Sequence, residues 1–336
     1  MRSTGPTRRA VILGSLGALT TTVVSGCTND PAPGIDRIVV ATGPPGAVYR
    51  EIGGALARLL DQRLPDQEVE PVETGASHDN LTLLGAGEAD LGLANLDSIL
   101  ATDVVTEGST IQAVGRLYDS FVHLVVPADS PVRSLSDVDG LRVSVGAVNS
   151  GTEFTARQIT EVTGVRPEAV RINQASSAEA LAAGEIDAMF SLTGLPTPAI
   201  ADLADQMPLR LIDLTGPANE MVTVYPESYF PATIPATTYT GVPACPTMSI
   251  PNLLLCREDL PERLVYTVTD TVYTGASRLA EQRPEAAQIN VRTGISTGVV
   301  PLHSGAEQWY RHNKPASEAA LRPVSPPPTG AGPRAV

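Results

Sequence analysis

The sequence predicts an α/β protein of two similar lobes joined by two long crossover strands. Three observations predict it. Short apolar strands alternate with helical segments in a β-loop-α rhythm, which argues for a mostly parallel sheet with helices on both faces. The segment Gly85-Ala86-Gly87-Glu88-Ala89-Asp90 is echoed by Ala183-Gly184-Glu185-Ile186-Asp187-Ala188 at the same place in a second series. Two long apolar stretches with strand chemistry, 114–126 and 247–256, carry the chain out of the first series and back.

The first series opens with a strand at 37–42, broken at Gly43-Pro44-Pro45-Gly46. A helix follows over 48–64, with Ile52, Leu56, Leu59 and Leu60 on one face. A strand at 68–73, a helix at 80–86 and a strand at 89–94 complete it. The second series has a short helix from Ser134, a strand at 141–145, a helix at 153–162, a strand at 171–173, a helix at 177–183 and a strand at 185–191. A strand at 209–214 and the stretch 247–256 come next, then helices at 261–282 and 304–311. This places lobe 1 at 36–124 and 246–313, lobe 2 at 125–245, and a disordered Pro-, Gly- and Ala-rich tail at 323–336.

The N-terminus carries its own signal. Residues 1–26 contain Arg2, Arg8 and Arg9 and no acidic residue, followed by an uncharged apolar run, as in a secretory signal peptide. The run is shorter than the roughly 20 residues a spanning helix needs. It ends in Val24-Ser25-Gly26-Cys27, which resembles a bacterial lipobox, and Thr7-Arg8-Arg9-Ala10-Val11 also resembles a twin-arginine signal. The expectation is cleavage before Cys27, a diacylated Cys27 thiol as anchor, a tether over 27–35, and an extracytoplasmic, membrane-anchored protein. Cleavage removes three arginines, so the net charge moves from −14 to −17. So acidic a chain is a poor partner for nucleic acid or an anionic membrane surface, and any anion site must be local. Cys245 and Cys256 flank an extended strand and can bridge only if the chain turns near Pro246 or Pro251, so two unpaired thiols are expected.

In open α/β sheets ligands sit beyond the carboxyl ends of the strands. The turns there hold Val48, Tyr49 and Arg50; Ser77 and Asn80; Asn95; Ser150, Gly151 and Thr152; and Thr193. Most are hydroxyls, amides and glycines, and several open a helix, where N–H groups and hydroxyls bind anions. That suits a carboxylate held by neutral donors. Taken singly, Ser77, Asn80 and Ser150 read as caps and turn residues; five such turns converging on one cleft point to a site. Arg50 reads either as a two-pronged partner for a ligand carboxylate or as a solvent-facing helix residue beside Glu51.

Several motifs run in the order of one known family. They are Gly46-Ala47-Val48-Tyr49, Gly75-Ala76-Ser77-His78-Asp79-Asn80-Leu81, Leu84-Gly85-Ala86-Gly87-Glu88-Ala89-Asp90, Gly151-Thr152-Glu153 and Gly194-Leu195-Pro196-Thr197-Pro198-Ala199-Ile200. Together they resemble the TAXI-type solute-binding subunits of TRAP transporters, over the chain to about Arg311. The resemblance implies a type II periplasmic-binding-protein fold and capture of a small organic acid or amino acid of the glutamate or 2-oxoglutarate class. It also implies delivery to a TRAP permease membrane subunit driven by an ion gradient. By position it implies ligand contacts from Val48, Tyr49, Ser77, Asn80, Ser150, Gly151, Thr152, Thr193 and Tyr239. The chain departs from the family at Pro44-Pro45, at Arg50, where a second aromatic is usual, and at Asn95, where Gln is frequent. A monomer without cofactor or metal is expected.

Two rival readings differ in class. A ligand-binding sensor or the receptor of an ATP-driven (ABC) importer would share every feature above. An extracellular hydrolase could use Gly294-Ile295-Ser296-Thr297-Gly298, a G-x-S-x-G pattern. However, Val299-Val300-Pro301 follows where that elbow needs a helix, so a non-enzyme is expected. His78, His123, His303 and His312 have no metal-ligand spacing.

Overall fold

A computed structural model describes residues 34–44, 47–102 and 110–313. The expected signal peptide, Cys27, the expected tether at 27–33, Pro45 and Gly46 of the first turn, and the expected tail lie outside the described residues.

The first series runs β1 (Arg37–Ala41), α1 (Val48–Asp61), β2 (Glu68–Val72), α2 (Ser77–Ala86), β3 (Leu91–Asn95) and α3 (Leu96–Leu100). β4 (Ile111–Pro127) crosses to the second series: β5 (Arg142–Ser144), α4 (Gly151–Thr163), β6 (Glu168–Val170), α5 (Gln174–Ala182), β7 (Ala188–Thr193) and α6 (Pro198–Gln206). β8 (Leu209–Leu211), α7 (Thr215–Val224) and β9 (Phe230–Ile234) lead to β10 (Cys245–Arg257), which crosses back. The chain then forms α8 (Glu262–Thr274), α9 (Ala276–Gln282), α10 (Val291–Gly294) and α11 (Ser304–His312).

The two lobes share one sheet of order β2-β1-β3-β10-β4-β7-β5-β6. β1 pairs in parallel with β2 and β3, and β5 with β6 and β7. β10 and β4 are antiparallel to each other and to the strands beside them. Each lobe is therefore a parallel βαβ layer, and the crossover strands form the seam.

The echoed motif has a structural reason. Gly87 and Gly184, at φ +72° and +71°, end α2 and α5 in the left-handed region that glycine occupies without steric cost. Three residues on, Asp90 and Asp187 face the start of a neighbouring strand. The Asp90 carboxylate accepts from the Val39 N–H at 2.8 Å, and Asp187 from the Arg142 N–H at 3.0 Å. Their own N–H groups donate to Val39 O and Arg142 O at 2.9 and 2.8 Å. The same glycine and aspartate, three residues apart, thus seat corresponding strands in both lobes.

α1, α8 and α11 cover one face with a core that includes Ile52, Leu56, Leu60, Leu264, Val268 and Trp309. Each such side chain contributes about 1.5–3 kcal/mol of transfer free energy. The apolar face predicted for 48–64 is the face that is buried, although α1 stops at Asp61. The expected strand at 171–173 is displaced: β6 ends at Val170, and Asn173 caps α5, its Oδ1 accepting from Ser176 N at 2.9 Å. α6 and α7 were not anticipated, and the helix expected at 261–282 is two helices, α8 and α9. Cys245 and Cys256 stand at opposite ends of β10 as free, buried thiols.

One irregularity prepares the site. Pro251 lies in β10, between two other strands, where a residue without an N–H is usually excluded. The β10–β4 register shifts between Pro251 and Leu253, so the ladder absorbs the proline and Asn252 falls at the break.

Candidate functional site

A cleft of about 280 Å³ opens at the carboxyl ends of the parallel strands, lined from both lobes. That volume corresponds to roughly nine waters at ~30 Å³ each, so it suits a small molecule. Lobe 1 supplies Val48 and Tyr49 from the start of α1, Ala76 before α2, and Asn95 at the end of β3. Lobe 2 supplies Ser150, Gly151 and Thr152 at the start of α4, Asn173, Gln174 and Ala175 at the start of α5, and Pro198, Ala199 and Asp202 in α6. Tyr118 and Ser120 of β4 and Leu192 and Thr193 of β7 complete the wall. Helix starts from both lobes therefore converge, and the first-turn N–H groups of a helix have no partner within it.

Beneath the floor lies a buried polar network centred on Asn252, which is fully buried. Its Oδ1 accepts from the Tyr49 hydroxyl at 2.5 Å and from Asn95 Nδ2 at 2.9 Å. Its Nδ2 donates to Tyr118 O at 3.0 Å and to Ser120 Oγ at 2.9 Å. Asn95 Oδ1 in turn accepts from Ser77 Oγ at 3.1 Å, and the Asn95 N–H donates to the same hydroxyl at 3.1 Å. Asn252 thus fixes two wall residues of lobe 1 to the seam of the sheet. Burial pushes the Tyr49 and Tyr118 phenols well above their usual value, so both are neutral, and the Tyr49 hydroxyl donates to Asn252.

The lobes meet closely here. A Cβ on Gly151 would lie 2.8 Å from Asn95 Oδ1 and 3.1 Å from Ser77 Oγ, so only glycine lets the start of α4 approach lobe 1 this far. A second bridge lies at Asp97, 2 % exposed at the start of α3. Its carboxylate accepts from Thr155 Oγ1 of α4 at 2.6 Å and from the Tyr229 hydroxyl, just before β9, at 2.8 Å. Burial raises its pKa, and the bonds from Thr155 and Tyr229 counter part of that rise.

Of the residues singled out from sequence, Val48, Tyr49, Asn95, Ser150, Gly151, Thr152 and Thr193 line the cleft. The other four stand behind or beside it. Ser77 holds Asn95 from below. Asn80 donates to Thr42 O and Leu93 O at 2.8 and 2.7 Å, tying α2 to the ends of β1 and β3. The Tyr239 hydroxyl accepts from Thr197 N at 3.1 Å and bonds His123 Nε2 at 2.9 Å. It thereby props the residue that begins α6. Arg50 turns toward Pro71 O at 3.3 Å, while its neighbour Glu51 pairs with Arg283 at 3.1 Å. Sequence reasoning missed Asn252, Tyr118, Ser120 and Asp202. The first three sit inside crossover strands, where a polar residue in an apolar run was the available signal. Asp202 lies in a helix that was not anticipated.

Ser296 does not sit on an elbow: it follows α10 in an exposed loop, and no helix begins directly after it. Both ring nitrogens of His303 are engaged by backbone, Nε2 with Glu258 O and Leu260 O and Nδ1 with Gly305 N, each at 3.1 Å.

A model of the NMT1-like family matches residues 40–313. The periplasmic binding protein BugD is 11% identical, with 82% of this chain and 94% of that one covered, at a TM-score of 0.53. A structure described as a periplasmic transporter is 15% identical over 83% and 93%, at 0.51. A Xanthomonas citri protein bound to chloride ion is 11% identical over 82% and 99%, at 0.50. The fold they share with this chain is the two-lobed, type II periplasmic-binding-protein architecture.

Proposed function

Because the chain belongs to the NMT1-like family, we propose that it is an extracytoplasmic solute receptor, anchored by a lipid on Cys27, that captures a small carboxylate between its lobes. The observation that carries this reading is the convergence of helix starts from both lobes on one small cleft. A carboxylate there would accept from the hydroxyls of Ser150, Thr152 and Thr193 and from first-turn N–H groups, and the aligned peptide dipoles favour its charge. Closure of the lobes about β4 and β10 removes water and strengthens each of those bonds. The motif order supports delivery to a TRAP permease. A TAXI-type receptor tethered at the membrane would stand at high effective concentration beside that partner.

The test is a thermal-shift screen of amino acids, keto acids and dicarboxylates on the full-length protein. A ligand at 100 times its Kd stabilises by about 2.7 kcal/mol. No shift with any small acid refutes the reading. The adjacent genes separate the transporter types: a large multi-span permease is expected, and an ATPase would assign the chain to an ABC importer.

A further inference from the structure

We propose that this cleft selects a zwitterion, an amino acid with an uncharged side chain, and that Asp202 is the residue that makes it do so. The inference rests on the small-carboxylate reading above and narrows it. Among the described residues that line the cleft, Asp202 alone carries a charge; no arginine, lysine or histidine is among them. The basic residue the sequence offered for a second carboxylate, Arg50, instead faces the backbone of β2 at Pro71. Nor does the ground behind the wall supply a cation. Asp97 is a buried carboxyl held by hydroxyls and an N–H. Glu285, 1 % exposed, shares Arg283 with Glu51, which leaves that cluster with one cation for two carboxylates.

The helix starts can satisfy one carboxylate with neutral donors. A second would enter a small space with no counter-charge and an aspartate at its edge, and burying an unpaired charge is strongly unfavourable. A ligand that carries a cationic amine beside its carboxylate reverses that balance. It is neutral overall, its carboxylate faces the helix starts, and its ammonium group donates to Asp202. The remaining lining is uncharged, and its apolar part includes Val48, Ala76, Ala147, Ala175, Leu192 and Ala199, which suits an apolar or small uncharged side chain.

The experiment is calorimetric titration of the full-length protein with paired ligands: uncharged amino acids, the 2-oxo acids of the same skeletons, and succinate, glutamate and 2-oxoglutarate. The tightest ligand should be an amino acid, preferred over its own 2-oxo acid by about tenfold, the lower end for a charge-assisted hydrogen bond at an exposed rim. Asp202→Asn should reduce that preference to about twofold or less, as expected once the acceptor is neutral. Its melting temperature should be unchanged, because Asp202 is exposed. A dicarboxylate that binds as tightly as the best amino acid overturns the inference and leaves the receptor reading standing. So does a preference that survives Asp202→Asn. Binding of none of these acids overturns both.

Discussion

Replacing Asn252 with alanine tests whether the seam of the sheet holds the cleft in shape. The wild-type amide bonds four residues, Tyr49, Asn95, Tyr118 and Ser120, in a site with no exposure. Alanine strands two donors, the Tyr49 hydroxyl and Asn95 Nδ2. A stranded buried donor costs about 1–3 kcal/mol, so the pair costs about 4 kcal/mol. The acceptors are less demanding, since Ser120 Oγ can turn toward another partner. Tyr49→Phe removes one donor and leaves Asn252 Oδ1 with Asn95, so it should cost only about 1 kcal/mol. In the double variant the Tyr49 donor is already gone, so the two losses should fall short of additive by about 1–2 kcal/mol. Chemical denaturation followed by circular dichroism measures all three. A stability of about 5–15 kcal/mol, usual for a folded domain, leaves the single variant folded. Asn95 and Tyr49 would lose their anchor, so ligand affinity should fall even where ligand never touches Asn252. A loss below about 1 kcal/mol for Asn252→Ala, or strict additivity with Tyr49→Phe, would refute the idea that this network carries the seam.

Two further outcomes follow from the geometry. Gly151→Ala places a methyl group 2.8 Å from Asn95 Oδ1, which must push α4 away from lobe 1. Ligand affinity should drop by about tenfold or more while stability falls by about 1–3 kcal/mol; unchanged affinity would show that the lobes need not approach so closely to bind. His123 is held neutral by burial, its pKa pushed down to about 4, with Nδ1 donating to Phe121 O and Nε2 accepting from the Tyr239 hydroxyl. The unfolded chain takes up that proton near pH 6.5 and the native protein only near 4. The stabilisation is therefore present above pH 6.5 and declines as pH falls toward 4, by about 3 kcal/mol. A ring that titrates near 6.5 in an NMR pH series would overturn this assignment.

The closing helices and crossover strands were legible because their apolar residues recur with a period, and periodicity survives without tertiary information. α6 was missed because its signal is short: Pro198 at its first turn, and only Ile200 and Leu203 buried. The strand expected at 171–173 failed for a related reason. Three residues carry too little pattern to tell a strand from the turn that ends it, and the cap at Asn173 decided the matter.

The two-series rhythm, the strand-and-helix order and the turns that meet at the cleft are written into short stretches of the chain. Those depend on local chemistry: hydrophobic period, glycines at positive φ, and hydroxyls that open helices. Which residues within those turns face inward depends instead on how the elements pack. Val48 and Arg50 are two residues apart, yet one lines the cleft and the other turns to Pro71, because a helix rotates its side chains by about 100° per residue. Only the structure, too, brought Asn252 to Tyr49 across 203 residues of chain. A contact of that range leaves no local periodicity; it exists because a proline in β10 shifts the register and leaves one amide where both lobes join.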